Sequence, residues 1–141
     1  ATLAMSQADI DGLRSLMESH EKMVMRSGGA TYMQEEGNHD FHYYIFSRCK
    51  NDWLVNCITN NIYLSLRMCR LNLSNQTPSR PPLALKEHNG IVDAIENRDA
   101  DLAEMLMQRH IDTAWKALGK IMGGGALSEG ELDQTSKPSA D

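Results

Sequence analysis

Apolar residues recur every three or four positions along most of the chain, and no stretch alternates apolar and polar for long. Residues at that spacing share one face of a helix, so the pattern predicts an all-helical chain. Ser6-Gln7-Ala8-Asp9 reads as an N-cap with an acidic first turn. Ile10, Leu13, Leu16, Met17 and Met23 continue that helix until Gly28-Gly29 stops it. A second helix is predicted from Ala30 to Arg48, striped by Met33, Phe41, Ile45 and Phe46, with Gly37 a weak point inside it. Asn51 is a good N-cap for a third, Asp52 to Asn72, where Trp53, Leu54, Val55, Ile58, Ile62, Leu66 and Cys69 recur at helical spacing. Ser74 to Pro82 is a loop by composition, and its last proline suits the start of a fourth helix. That helix runs to Asn97, with Leu85, His88, Ile91, Val92 and Ile95 on its inner stripe. Asp99 caps a fifth, Ala100 to Ile121, in which Leu102, Ala103, Leu106, His110, Ala114 and Leu118 share a face. Gly123-Gly124-Gly125 ends the pattern. Residues 123–141 carry little to bury and are expected to be a disordered tail.

The chain has 141 residues, enough for one domain over residues 1–122 that buries a core of its own. No apolar run approaches the ~18 residues of a membrane span. The first residues have no basic, then apolar, signal pattern, so a cytoplasmic protein with no membrane partner is expected. The net charge of −5 argues against this chain alone gripping nucleic acid. Cys49, Cys57 and Cys69 make an odd set without CxxC spacing, which reads as reduced, buried thiols rather than a disulfide framework.

The histidines change the picture. Of five, His42, His88 and His110 fall on the predicted inner faces of three different helices. Each neutral imidazole must satisfy two ring nitrogens, and leaving several unpaired in one core is costly. Hydrogen bonds to backbone carbonyls would satisfy them one by one; a shared divalent metal would satisfy all three together. Asn38 lies four residues before His42, so a continuous helix would place both on one face and make its amide oxygen a fourth candidate ligand. The same geometry rotates Asp40 away from His42. His39 and His20, among polar neighbours, read as solvated.

Asn38-His39-Asp40-Phe41-His42 with Cys49-Lys50-Asn51 resembles the D/N-x-x-F-H … N signature of the FadR C-terminal (FCD) domain. Glu87-His88-Asn89-Gly90-Ile91-Val92-Asp93-Ala94-Ile95 resembles that family's E-H-x-x-I-x-x-A-I. Arg98-Asp99, Ala103 and Met107-Gln108-Arg109-His110-Ile111 resemble its r-D … A … M-x-x-H-I. Leu66-Arg67-Met68 is similar to a further segment common in these regulators, and the likeness runs from about Ala1 to Leu118. The FCD domain is the effector-binding half of FadR-subfamily regulators in the GntR superfamily. The resemblance implies an antiparallel helical bundle that works as a homodimer, with a metal at its centre below a pocket for a small organic acid. Carried onto this chain, the metal ligands are Asn38, His42, His88 and His110, with zinc the first choice and nickel or another transition metal as alternatives. Arg67, with Asn38 and His88, is the candidate contact for the effector carboxylate. Asn38 stands where Asp is commoner, which removes one negative charge from the metal's shell. The resemblance also implies an N-terminal winged helix-turn-helix domain, absent from this chain, through which DNA would be bound.

Two other functions compete with a sensor. A metal-dependent hydrolase or lyase would need a general base beside a metal-bound water. Glu87 is set about 100° off the His88 stripe, Glu104 is also off the inner face, and no HExxH occurs. A non-enzyme is therefore expected. A metal-free dimerisation bundle with core histidines is the remaining alternative.

Overall fold

The computed structural model describes residues 1–76 and 79–121. These form helices α1 (Gln7–Arg26), α2 (Phe41–Phe46), α3 (Asp52–Ile58), α4 (Leu64–Gln76), α5 (Arg80–Glu96) and α6 (Ala100–Ile121). A 3-10 turn, Gly37–His39, precedes α2, and a π segment, Thr59–Tyr63, joins α3 to α4. No strand occurs among the described residues. The expected tail over residues 123–141 lies outside them.

Local chemistry sets the ends. Ser6 caps α1 through a capping box: its hydroxyl accepts from the Asp9 N–H, and the Asp9 carboxylate accepts from the Ser6 N–H at 2.8 Å. Gly28 and Gly29 then turn the chain at φ +61° and +83°, conformations that L side chains rarely adopt. Pro81 sits in the first turn of α5, where its missing N–H costs no helical hydrogen bond. Asn97–Asp99 links α5 to α6, with Arg98 in the left-handed region at φ 58° and its guanidinium donating to the carbonyl oxygens of Thr2 and Met5.

α5 packs on α1 and on α6, and α4 packs on α6. The core holds Ile10, Leu13 and Met17 from α1, Phe41 and Ile45 from α2, and Ile91, Val92 and Ile95 from α5. Arg14 of α1 pairs with Asp93 and Glu96, pinning α1 to α5.

Two expectations fail here. The helix predicted over Ala30 to Arg48 forms only from Phe41 on, because Asp40 takes an extended conformation (φ −97°, ψ 126°) and caps α2. Its side chain accepts from the His42 and Tyr43 N–H groups, which ends any helix arriving from the N-terminal side. The third helix is broken by the π segment and continues to Gln76, and α3 buries none of its residues. Trp53 is 76% exposed. Helical spacing correctly marks a face there, but nothing among the described residues covers it.

Candidate metal centre

His42 comes from the first turn of α2, His88 from the middle of α5 and His110 from the middle of α6. One ring nitrogen from each lies within 4.8 Å of the others. His110 Nε2 is 3.2 Å from both His42 Nε2 and His88 Nε2. Tetrahedral nitrogens around zinc, at bonds of about 2.0–2.1 Å, lie roughly 3.3–3.4 Å apart. The spacing therefore fits one small cation.

Hydrogen bonds fix where the protons are. His20 Nε2 lies 3.0 Å from the His39 carbonyl oxygen, which can only accept, so Nε2 carries a proton. Burial lowers the His20 pKa, so at neutral pH the ring is uncharged and its Nδ1 is bare. The Tyr32 hydroxyl donates to that Nδ1 at 2.9 Å, and its oxygen accepts from His88 Nδ1–H at 2.9 Å. His88 Nε2 is left with a lone pair. On α6, His110 Nδ1 donates to Glu87 Oε2 at 2.6 Å, so His110 Nε2 is also bare. Two lone pairs thus face one another at 3.2 Å. A cation between them turns that repulsion into two coordinate bonds.

His42 is held differently. The Arg70 guanidinium, which can only donate, bonds to His42 Nδ1 and places the ring proton on Nε2. For Nε2 to ligate, Nδ1 must take the proton instead, and Asp40 Oδ1, 3.7 Å away, is the acceptor for it. Asp40 is completely buried and pairs with Arg70 at 2.5 Å. Burial alone would raise its carboxyl, but the hydrogen bond with His42 and the Arg70 charge outweigh that and hold it well below the usual carboxylate range. Burial lowers His42 to about 4 and His88 well below its ordinary value. Burial also lowers His110, against the pull of Glu87. All three rings are neutral at pH 7, as metal ligands must be.

A cavity of about 160 Å³ opens on the three histidines. Its walls are largely apolar, from α2, the π segment and α6, and its two cations are Arg70 and Arg80. Arg80 is 5% exposed. Its Nη1 is buried without a hydrogen bond, although Glu87 Oε2 stands 3.1 Å away in an unaligned ion pair.

The structure brings His42, His88 and His110 together and places the other candidates elsewhere. Asn38 is exposed in the 3-10 turn, and its Oδ1 accepts from Arg48 at 3.2 Å. The spacing of four that aligned it with His42 holds only along a helix, and the helix starts after it. The same break brings Asp40 beside His42 rather than away from it. Arg67 donates to the Gln34 and Glu35 carbonyl oxygens at 3.2 and 3.0 Å and fastens that segment; Arg70, three residues on, lines the cavity. Glu87 lies off the His88 stripe yet reaches His110 across the α5–α6 contact. His20 is 2% exposed, not solvated, whereas His39 is exposed. The three cysteines are free and half-buried, and Cys69 lines the cavity. Sequence reasoning set Asp40 and Glu87 aside as pointing off the inner faces, and it missed Arg70 and Arg80. The available signal was the spacing of seven between Arg80 and Glu87, two turns along one face of α5.

No helix among the described residues is long and apolar enough to cross a membrane. A family model described as the FCD domain matches residues 1–113. No curated protein matches the chain.

Proposed function

From the premise that this chain belongs to the FCD domain family, we propose that it is the ligand-sensing regulatory domain of a bacterial GntR-family transcriptional regulator. It binds a divalent transition metal, zinc first among the candidates, and a small organic acid. The reading is carried by three neutral imidazoles from three helices that converge at the floor of one cavity.

His42, His88 and His110 are the ligands. Asn38 joins them only by leaving Arg48. When bound, the metal supplies a Lewis-acid centre with room for a carboxylate oxygen. The chain's own residues do the rest. Glu87 and Tyr32 hold His110 and His88 with their Nε2 lone pairs inward. Arg70 and Arg80 bring positive charge to the cavity. A carboxylate seated there contacts α5, α6 and the Arg70 turn of α4 at once. Its binding then favours whichever arrangement of those helices closes on it, which is the differential free energy an effector must supply. The chain acts as a homodimer, and DNA is held by another domain. The role is regulatory rather than enzymatic: the acid nearest the histidines, Glu87, is occupied in orienting His110 and pairing with Arg80.

The test is elemental analysis of the chain purified without chelator or metal-affinity tag, beside His88→Ala. About one equivalent of a divalent metal in the parent and little in the variant is the expected result. EDTA should then lower the parent's Tm, since a metal bound only by the native state stabilises it by mass action. A parent that takes up no metal on reloading, with a Tm indifferent to EDTA, overturns the metal-bridged reading.

A further inference from the structure

We infer that the effector is a monocarboxylate with a compact apolar body, of aromatic or branched aliphatic type, rather than a sugar acid or a polycarboxylate. This rests on the effector-binding reading above and narrows it to a ligand class.

The charged and imidazole groups of the cavity gather at one end. Arg70, Arg80 and the three histidines form that end, while Phe46, Ile58, Leu66, Trp115 and Leu118 supply apolar wall. Its volume of about 160 Å³ is close to the ~150 Å³ of an apolar cavity that accepts benzene. A six-membered ring or a short branched chain therefore fills it. Trp115, 71% exposed, and Ile111, 49% exposed, stand at the rim, where they can cover such a body.

The polar groups along the wall are few, and several of their atoms are already engaged. The Tyr32 hydroxyl serves His20 and His88. Gln34 Oε1 accepts from the Phe41 N–H at 2.7 Å, and Tyr63 Oη accepts from the Gly37 N–H at 3.3 Å. The several hydroxyls of a sugar acid would be buried there with few partners, which is costly. Charge counts the same way. Arg70 is matched by Asp40 and Arg80 by Glu87. Among the described residues, Arg80 Nη1 is the buried side-chain donor without a hydrogen bond, and it keeps only its 3.1 Å ion pair with Glu87 Oε2. One carboxylate satisfies it, whereas a second or third would enter an apolar wall unpaired.

The experiment is calorimetric titration of the zinc-loaded 141-residue chain with benzoate, acetate, gluconate and citrate at one ionic strength, with zinc content measured before and after each run. Benzoate is expected to bind at least tenfold more tightly than acetate or gluconate. Trp115→Ala, at an exposed position that folding does not depend on, should reduce the benzoate-to-acetate affinity ratio several-fold. Arg80→Gln should weaken both acids, provided its circular dichroism and zinc content match the parent. Gluconate or citrate binding as tightly as benzoate, or an unchanged ratio in Trp115→Ala, overturns the apolar-acid inference and leaves carboxylate sensing intact. A zinc-loaded chain that binds none of the four acids overturns both.

Discussion

The proton on His88 Nδ1 is placed by a relay that ends at a backbone carbonyl: His39 oxygen, His20, Tyr32, His88. Neither His20 nor Tyr32 needs to touch a metal to matter to it. The carbonyl sets the His20 tautomer, that tautomer orients the Tyr32 hydroxyl, and the hydroxyl oxygen leaves His88 only one way to hydrogen-bond. Burial pushes the Tyr32 phenol far above its ordinary value, so it stays protonated and cannot break the relay by ionising. Tyr32→Phe should therefore lower zinc affinity about 10–100-fold, the usual cost of losing an outer hydrogen bond to a metal-binding histidine. Competition against a chromophoric chelator measures it. A variant whose Tm drops while its zinc Kd stays put would make Tyr32 a packing residue only. Asp40 and Arg70 have the opposite effect on His42: Arg70 donates to the Nδ1 lone pair, whereas ionised Asp40 favours a proton on Nδ1.

The elements show where a local signal suffices and where it does not. α1, α5 and α6 follow from their apolar stripes and caps, and α6 spans the predicted residues. Their inner positions also place His88 and His110 correctly, since register on a long amphipathic helix is a local property. The segment before α2 was misread because one buried side chain, Asp40, decides the backbone there, and its burial depends on Arg70, 30 positions away. Arg80, Glu87 and Arg70 escaped for the same reason: their partners lie on other turns or other helices. The faces of α3 and α4 were legible as apolar but not as uncovered. Packing between elements carries a close fit of its own. A methyl on Gly12 of α1 would meet the Tyr44 hydroxyl at 2.2 Å. That hydroxyl is fixed by a 3.0 Å hydrogen bond to the Asp9 carbonyl oxygen. Gly12→Ala, which in an open helix would gain stability, should here cost about 1–3 kcal/mol. Urea unfolding checks it, and a stabilised variant would mean that α1 and α2 are not pressed together at this point.

Taken as a whole, the metal-free molecule holds four neutral histidines in one interior: His20, His42, His88 and His110. The unfolded chain protonates each near 6.5, while folded His42 stays neutral to about 4. Between those values the unfolded state binds more protons, so stability is full above about pH 6.5 and falls as pH drops toward 4. Asp40, also depressed, adds its loss only below its ordinary 3.8. After chelation, the urea midpoint should be lower at pH 5.0 than at pH 7.5, and equal midpoints would mean that the histidines are not buried neutral. The α5–α6 hairpin has a separate consequence. His88 and His110 are 22 residues apart, yet the turn at Asn97–Asp99 sets them level across the helix contact. One residue inserted on either arm would swing its histidine by about 100° and 1.5 Å. This stretch is thus a ruler as well as a scaffold: its amino acids can drift over generations, but its length cannot, and a duplication or deletion there erases the site while leaving a helix behind.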